Sequence, residues 1–453
     1  MSLKDKLSKW LTPPPDPQPG VTHWRGAGEL AGVRLHLRIE EDGKGVLIVN
    51  AAKILHLNET AAEMAQLLLR EVDVEQAVKT LKRRYQAPAA QLRADYADLR
   101  EKIMLLAQHD GVCPVTYLGL ERVEPFATRG SVPHRMDLAL TYRCNNKCGH
   151  CYVERPADLP SLARDRWLQV IRKTWDLGIP QLIFTGGEAT LHEDLPLFVA
   201  TAEELGQVTG LITNGRKLAE GAYLDALVGA GLDHVQITLE SHQAEVHDAM
   251  VGVPGAFTET CAGIRHAAAS GLYLLTNTTL SRHNVTELER FLDFLVELGV
   301  ANMAMNGFIH AGKGEAHPDA IPEAQLPEIL ERVRDGAAER EIFFRWYTPT
   351  QYCTCNPIDL GLGVKQCTAG RYNMCIEPDG SVIPCQSYFE SMGHFLDDDW
   401  KTIWNDRRLV ELREHTWVDE KCAACHDLEV CGGGCPLYRR LTGDQANPGA
   451  HGC

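Results

Sequence analysis

Leu140-Thr141-Tyr142-Arg143-Cys144-Asn145-Asn146-Lys147-Cys148-Gly149-His150-Cys151-Tyr152 is the stretch from which the rest of the chain is read. The apolar run Met136–Leu140 leads straight into three cysteines spaced C-x3-C-x2-C. A loop at a strand end can wrap three such thiolates around one point. Iron–sulfur cubanes ordinarily take four cysteine ligands, so three leave one iron open to another molecule. A zinc knuckle, or three incidental thiols, is the competing reading of the same spacing.

Outward from this stretch, residues 134–342 alternate short apolar runs with amphipathic helical segments, the pattern of repeated βα units around a parallel sheet. Strands are predicted at Met136–Leu140, Gln181–Phe184, Val208–Ile212, His234–Leu239, Leu272–Thr278 and Asn302–Phe308, each followed by a helix. An eight-unit barrel needs more chain than this. The expectation is an α/β fold with an open, partial (β/α)6 barrel whose ligand-binding loops lie at the C-terminal strand ends. Residues 29–110 read differently. Val33-Arg34-Leu35-His36-Leu37 and Val46-Leu47-Ile48-Val49 alternate as paired strands about the turn Asp42-Gly43. Asn58 then caps a helix, and two more fit Val74–Tyr85 and Ala89–Leu106. Residues 1–28 form a proline-rich segment and 111–133 a linker. Across 343–453 cysteine, glycine and proline are dense, so metal coordination must contribute folding free energy that a small core cannot.

Bulk properties narrow the function. Hydrophobic residues at 44% and charged residues at 23% of the 453 describe a globular chain. A net charge of -16 argues against nucleic acid, whose binders show a basic footprint. No apolar run reaches the roughly 18 residues a membrane span needs, and the start lacks the features of a signal peptide. A cytoplasmic protein is therefore expected. Thiols stay reduced there, so the 15 cysteines read as metal ligands rather than disulfides. Only Cys113 and Cys261 fall outside two groups, at 144–151 and 353–453.

Companion motifs follow the triad. Phe184-Thr185-Gly186-Gly187-Glu188 comes after the second strand, Thr213-Asn214-Gly215 after the third, and Gln236-Ile237-Thr238-Leu239-Glu240-Ser241 closes the fourth. Together with the triad these resemble the radical S-adenosylmethionine (SAM) superfamily. The resemblance implies a 4Fe-4S cluster on Cys144, Cys148 and Cys151, with SAM chelating its open iron through amino and carboxylate groups. It implies SAM contacts from Gly186, Gly187, Glu188, Asn214, Thr238, Glu240 and Asn277, and from the turn Ser281-Arg282-His283-Asn284. Ala189 stands where proline is usual, and Glu240 where many relatives have aspartate. The implied chemistry is reductive cleavage of SAM to a 5'-deoxyadenosyl radical that abstracts hydrogen, with a flavodoxin- or ferredoxin-type electron donor.

In the last third, Cys367 is followed by Gly380-Ser381-Val382-Ile383-Pro384-Cys385 and then by Cys422-x2-Cys425-x5-Cys431-x3-Cys435-x17-Cys453. This spacing resembles the SPASM domain, with a zinc ribbon as the alternative. The resemblance implies an outer auxiliary cluster on Cys422, Cys425, Cys431 and Cys453, and an inner one on Cys367, Cys385 and Cys435. Cys355 is the implied fourth inner ligand, with Cys353, Cys375 or a site open to substrate as alternatives. Residues 29–110 resemble a PqqD-like, winged-helix domain that binds the leader of a ribosomally made peptide by strand addition; a packing or dimerisation domain is the plainer reading. The combination implies a peptide maturase installing a cross-link, thioether, epimer or oxidation, or alternatively an enzyme acting on a small molecule such as a haem intermediate. His150, Tyr152, Asn306 and His310 lie near strand ends, where packing is the default role, and no general acid or base is named.

Overall fold

The computed structural model describes residues 19–26, 33–50, 53–108 and 130–442. Cys453, most of the proline-rich segment and most of the linker lie outside the described residues. The chain divides into two compact units, one formed chiefly by residues up to Ser131 and the other chiefly by residues from Val132 onward.

In the first unit, strands β1 (Gly20–Arg25), β2 (Arg34–Ile39), β3 (Gly45–Val49) and β4 (Lys53–Leu57) form an antiparallel sheet in that order. The alternation around Asp42-Gly43 becomes the β2–β3 hairpin, with Gly43 at φ +81° and Asp42 accepting from the Lys44 N–H. Neither β1 nor β4 was predicted. Three helices follow, Glu59–Leu69, Val74–Leu81 and Ala89–Gln108, close to the predicted spans. Asn58 caps the first by accepting from the Ala61 N–H at 2.9 Å. Leu37, Leu47 and Val49 bury one sheet face against Ala62, Ala65 and Leu106 of the helices.

The second unit is built on seven parallel strands: β5 (Arg135–Thr141), β6 (Gln181–Gly186), β7 (Val208–Thr213), β8 (His234–Thr238), β9 (Tyr273–Thr279), β10 (Asn302–Asn306) and β11 (Phe343–Trp346). The six predicted strands are β5–β10, and each leads into a helix, so the six βα units stand. β11 comes after the sixth helix. On the other side, β12 (Asn373–Ile376) pairs in parallel with β5, and β13 (Val382–Ile383) pairs antiparallel with β12. The sheet order is β11-β10-β9-β8-β7-β6-β5-β12-β13, an open partial barrel extended by the cysteine-rich region.

Register sorts the strand residues into two faces. Met136, Leu138, Leu182, Phe184, Leu211, Val235, Ile237, Met303 and Met305 are at most 1% exposed and form the face the helices cover. The opposite face is smaller and more polar. Along it Asp137 pairs with Ile183, Ile183 with Gly210, Gly210 with His234 and His234 with Tyr273. A second row runs from Thr238 through Asn277 and Ala304 to Arg345. This face lines the lumen, and parallel strands bring all the βα loops to one end of it.

Candidate functional site

The cysteine loop leaves the C-terminal end of β5 and is pinned from three sides. Lys147 and Gly149 donate their backbone N–H groups to Val251 and Met250 carbonyls at 2.8 and 3.1 Å. The Arg216 guanidinium donates to the Asn145 carbonyl at 2.6 Å and to Asn146 Oδ1 at 3.0 Å. Asn214 Nδ2 donates to Asn145 Oδ1 at 2.6 Å. So the Thr213-Asn214-Gly215 turn grips the loop directly.

Gly186 and Gly187 meet the same loop at its root. Gly187 N–H donates to the Thr141 carbonyl at 2.8 Å and Glu188 N–H to the Arg143 carbonyl at 2.9 Å. A Cβ on Gly187 would lie 2.5 Å from Tyr142 O and 2.6 Å from Arg143 O; on Gly186, 2.2 Å from Thr141 O. Backbone approach therefore demands glycine at both positions. The Glu188 carboxylate, 1% exposed, accepts from Thr190 N, Thr190 Oγ1 and Thr213 Oγ1 on one oxygen and from Asn214 N on the other. It ties the Gly-Gly-Glu motif to the Thr-Asn-Gly turn.

Glu240 is likewise enclosed. One oxygen sits 3.0 Å from His150 Nε2 and the other accepts from Thr279 N–H at 2.8 Å. Burial alone would lower the His150 pKa, but the charge and hydrogen bond of Glu240 outweigh it and raise it. Asn284 Nδ2 donates to the Glu240 and Thr279 carbonyls, closing the 281–284 turn on the same residue. Thr238 and Asn277 are half-buried on the lumen face. Asn277 Nδ2 donates to Asn306 Oδ1 at 2.8 Å, while the buried Asn277 Oδ1 has no partner among the described residues.

The loop thiols are neighbours, with Cys151 acting on Cys144 and both of them on Cys148. Cys144 reaches solvent from a protein-lined recess, and burial pushes its thiol up to about 11, with Glu188 and Cys151 nearby adding to the shift and the Asn146 N–H opposing it. Burial, with Glu240, Cys151 and Cys144, drives Cys148 higher still. Three thiols on one short loop suit a cationic iron cluster, which displaces their protons on binding. The unsatisfied Asn277 Oδ1 suits a ligand that donates hydrogen bonds, as SAM does.

In the C-terminal region burial raises the thiols of Cys367, Cys385 and Cys435; Cys435 and Cys385 add to the shift at Cys367, and Cys385 adds to that at Cys435, which reaches about 11, so the three lie together. Cys355 and Cys353 diverge. Cys355 is 1% exposed and shares the Glu323 carboxylate with Cys435, whereas Cys353 lies by Cys431. Cys375 is buried on β12 opposite Asp137 and beside Cys385. Cys422 Sγ accepts from the Arg439 guanidinium at 3.3 Å, and Cys431 Sγ from Tyr352 N–H at 3.4 Å. Cys425 stands with His426 and Asp427, their donor atoms within 4.8 Å of one another.

Some site residues carried no motif. Asp137 is fully buried on the lumen face, held by Arg135 at 2.9 Å, and burial raises its pKa. Tyr152 sits among Cys151, Cys375, Asp137 and Cys385, between the loop thiols and the C-terminal trio. A carboxylate in the run Arg135-Met136-Asp137-Leu138-Ala139-Leu140 was the one available signal. His310 packs its ring 4.9 Å from Tyr438.

Family comparisons agree with this architecture. The Radical SAM superfamily model matches residues 138–295, the iron-sulfur cluster-binding domain model (SPASM) residues 367–426, and the model of coenzyme PQQ synthesis protein D (PqqD) residues 45–103. Among solved structures, Streptococcus suis SuiB bound to precursor peptide SuiA is 17% identical, over 89% of this chain and 94% of that one, with TM-score 0.65. SuiB bound to S-adenosylmethionine is 19% identical over 89% and 95%, with TM-score 0.66. Native anSMEcpe with bound AdoMet and Kp18Cys peptide is 17% identical over 69% and 92%, with TM-score 0.54. The parallel sheet and its cysteine loop are those of a radical SAM enzyme, using SAM and 4Fe-4S clusters. More particularly, the chain carries a radical SAM domain with a SPASM domain after it and a PqqD domain before it in sequence.

Proposed function

We propose that this chain is a maturase of ribosomally synthesised peptides, acting on a residue of the substrate held in the lumen. The observation that carries the reading is the coincidence, in one chain, of the pinned thiol loop over a polar lumen, a second thiol group beside it and a separate PqqD unit. Cys144, Cys148 and Cys151 hold the loop cluster. Cys367, Cys385, Cys435 and Cys355 hold the inner auxiliary cluster, and Cys422, Cys425 and Cys431, with Cys453, the outer one. When bound, the loop cluster supplies the electron that cleaves SAM to methionine and the 5'-deoxyadenosyl radical that abstracts hydrogen.

The chain's own residues supply position. Gly186, Gly187 and Glu188 set the height of the cysteine loop, Asn214 and Arg216 clamp its near side, and Glu240 holds its far side through His150. Thr238 and Asn277 face the lumen, where the unpartnered Asn277 Oδ1 would accept a hydrogen bond from bound SAM. Asp137 and Tyr152 fill the space between the loop and the inner trio and exclude water from it. A leader peptide adds as a strand to an edge of the β1–β4 sheet, where β4 has β3 as its partner and turns Ile54 and His56 outward. Reduced thiols fit a cytoplasmic setting with a flavodoxin- or ferredoxin-type donor. No described helix is long and apolar enough to cross a membrane.

The test is anaerobic reconstitution followed by reduction with dithionite in the presence of SAM and a candidate precursor peptide. Formation of 5'-deoxyadenosine, lost on replacing Cys144, Cys148 and Cys151 by alanine, together with a mass change in the peptide that needs residues 29–110, is the expected outcome. Peptide turnover by a chain lacking residues 29–110 at the full rate rules out the leader role.

A further inference from the structure

We propose that the lumen carries a carboxylate-binding subsite built from Arg345 and Lys365 between the rings of Tyr273, Phe343 and Tyr347, and that the substrate presents a carboxylate there. The inference rests on the maturase reading and adds to it a class of substrate. Register places Arg345 in the row that contains Thr238 and Asn277, so its side chain leaves the sheet on the lumen face. Its guanidinium lies 4.7 Å from the centre of the Phe343 ring and 5.9 Å from that of Tyr273, and Nη1 donates to the Tyr273 hydroxyl at 2.8 Å. That hydroxyl in turn donates to Asn302 Oδ1 at 2.8 Å. The guanidinium is thus fixed in place by neutral partners. Lys365 lies with its ammonium 5.6 Å from the Tyr347 ring centre. Its backbone is clamped by the Tyr352 hydroxyl, which accepts from Lys365 N–H at 3.0 Å and donates to its carbonyl at 3.1 Å.

The charge balance is what makes this a site. The chain carries a net charge of -16, and its arginines mostly find carboxylates. Among the described residues neither Arg345 nor Lys365 has a carboxylate within 4.0 Å, and Asp137, on the lumen face of β5, is taken by Arg135. Tyr347 links the two cations, its ring beside the Lys365 ammonium and its hydroxyl within reach of the Arg345 charge, and after burial that same charge helps lower the Lys365 pKa; two such cations repel unless an anion joins them. The walls stay open for one: Phe343 and Tyr273, beside the guanidinium, are 56% and 44% exposed, and Tyr347, beside the ammonium, 38%. A planar guanidinium with free N–H groups takes a carboxylate in a bidentate fork, and the ammonium adds a third donor. The rings accept the aliphatic and peptide parts of the same residue. Either an acidic side chain or a chain terminus supplies the shared chemistry.

Three N-acetylated tripeptides test this by calorimetric titration of the reconstituted, full-length protein: glycyl-glutamyl-glycine amide, glycyl-glutaminyl-glycine amide, and glycyl-glutaminyl-glycine as the free acid. The expected result is that at least one carboxylate-bearing probe binds about tenfold or more tighter than the neutral amide. The side-chain and free-acid arms then say which source of carboxylate fits. That preference is expected to disappear in Arg345→Gln and in Lys365→Gln, and to be partly restored in Arg345→Lys. If Arg345→Gln does not fold, Lys365→Gln and the wild-type discrimination still decide. Equal binding of all three probes, binding of none, or a preference that survives both substitutions overturns the proposal. Formation of 5'-deoxyadenosine by the wild-type protein is measured in the same preparations. Its absence defeats the maturase reading, whereas its presence without carboxylate preference defeats the subsite alone.

Discussion

Replacing Gly187 with alanine tests how the barrel positions its cysteine loop. The added methyl would sit 2.5 Å from Tyr142 O and 2.6 Å from Arg143 O, roughly 0.9 Å inside ordinary van der Waals contact. Both obstacles are backbone atoms of the cysteine loop, so no rotamer change relieves the clash. Holding the native geometry would cost about 1–3 kcal/mol in overpacking. Moving the loop instead breaks the bonds from Gly187 N to Thr141 O and from Glu188 N to Arg143 O, at about 1 kcal/mol each. The loop therefore shifts by roughly 1 Å, a displacement that costs on the order of a hundredfold in rate when reacting groups depend on it. The assay is single-turnover formation of 5'-deoxyadenosine with dithionite, alongside iron content and the electron paramagnetic resonance spectrum of the reduced cluster. Iron bound near the wild-type level with cleavage slowed about a hundredfold fits the geometry. Wild-type cleavage by Gly187→Ala would refute the idea that this contact sets the loop.

Three further outcomes follow from the same structure. Glu240→Ala leaves His150 and the Thr279 N–H without their buried acceptor and is expected to destabilise the protein by about 2–4 kcal/mol, read by urea melts; a loss below about 0.5 kcal/mol contradicts the enclosed geometry. Burial, opposed by Asp233 and aided by Arg135, lowers the pKa of His234 to about 4. The folded protein then binds this proton less readily than the unfolded chain, so the stability contribution is complete above about pH 6.5 and lost as pH falls toward 4. By pH 5 the loss is about 2 kcal/mol, and His234→Gln should remove that component from the difference between melts at pH 7 and pH 5. Finally, Cys355→Ala should release about four iron atoms per chain if it completes a cubane, while Cys375→Ala retains them; the reverse result moves the fourth ligand to β12.

Legibility in the sequence tracked how local each feature is. The strands β5–β10 were readable because each is a run buried beneath helices, and the triad because one loop carries all its thiols. The glycine pair was readable as a motif, but its immediate reason, two carbonyl oxygens of the cysteine loop, came only with the fold. β11 was missed because Phe343-Phe344-Arg345-Trp346 is four residues long and keeps an arginine on its lumen face. β12 was missed because its partner Arg135–Leu138 lies more than two hundred residues upstream, a pairing no local pattern encodes. Cys353 and Cys355 look equivalent in Tyr352-Cys353-Thr354-Cys355, and only the fold of that loop sends one toward Cys431 and the other toward Glu323. Glu188 and Glu240 read as open ligand contacts, whereas the fold gives their oxygens to the chain's own donors.

The pairing of β12 with β5 has a mechanical corollary. The strand that ends in the first cysteine loop borrows its outer row of backbone partners from the cysteine-rich tail, so the two metal-bearing regions share one piece of fabric rather than a hinge. Cutting the gene at the apparent seam near residue 343 would leave β5 with a raw margin, ready to pair with another molecule instead. A shortened catalytic half is therefore a poor candidate for separate production, and swapping tails between relatives requires carrying the matching first strand along.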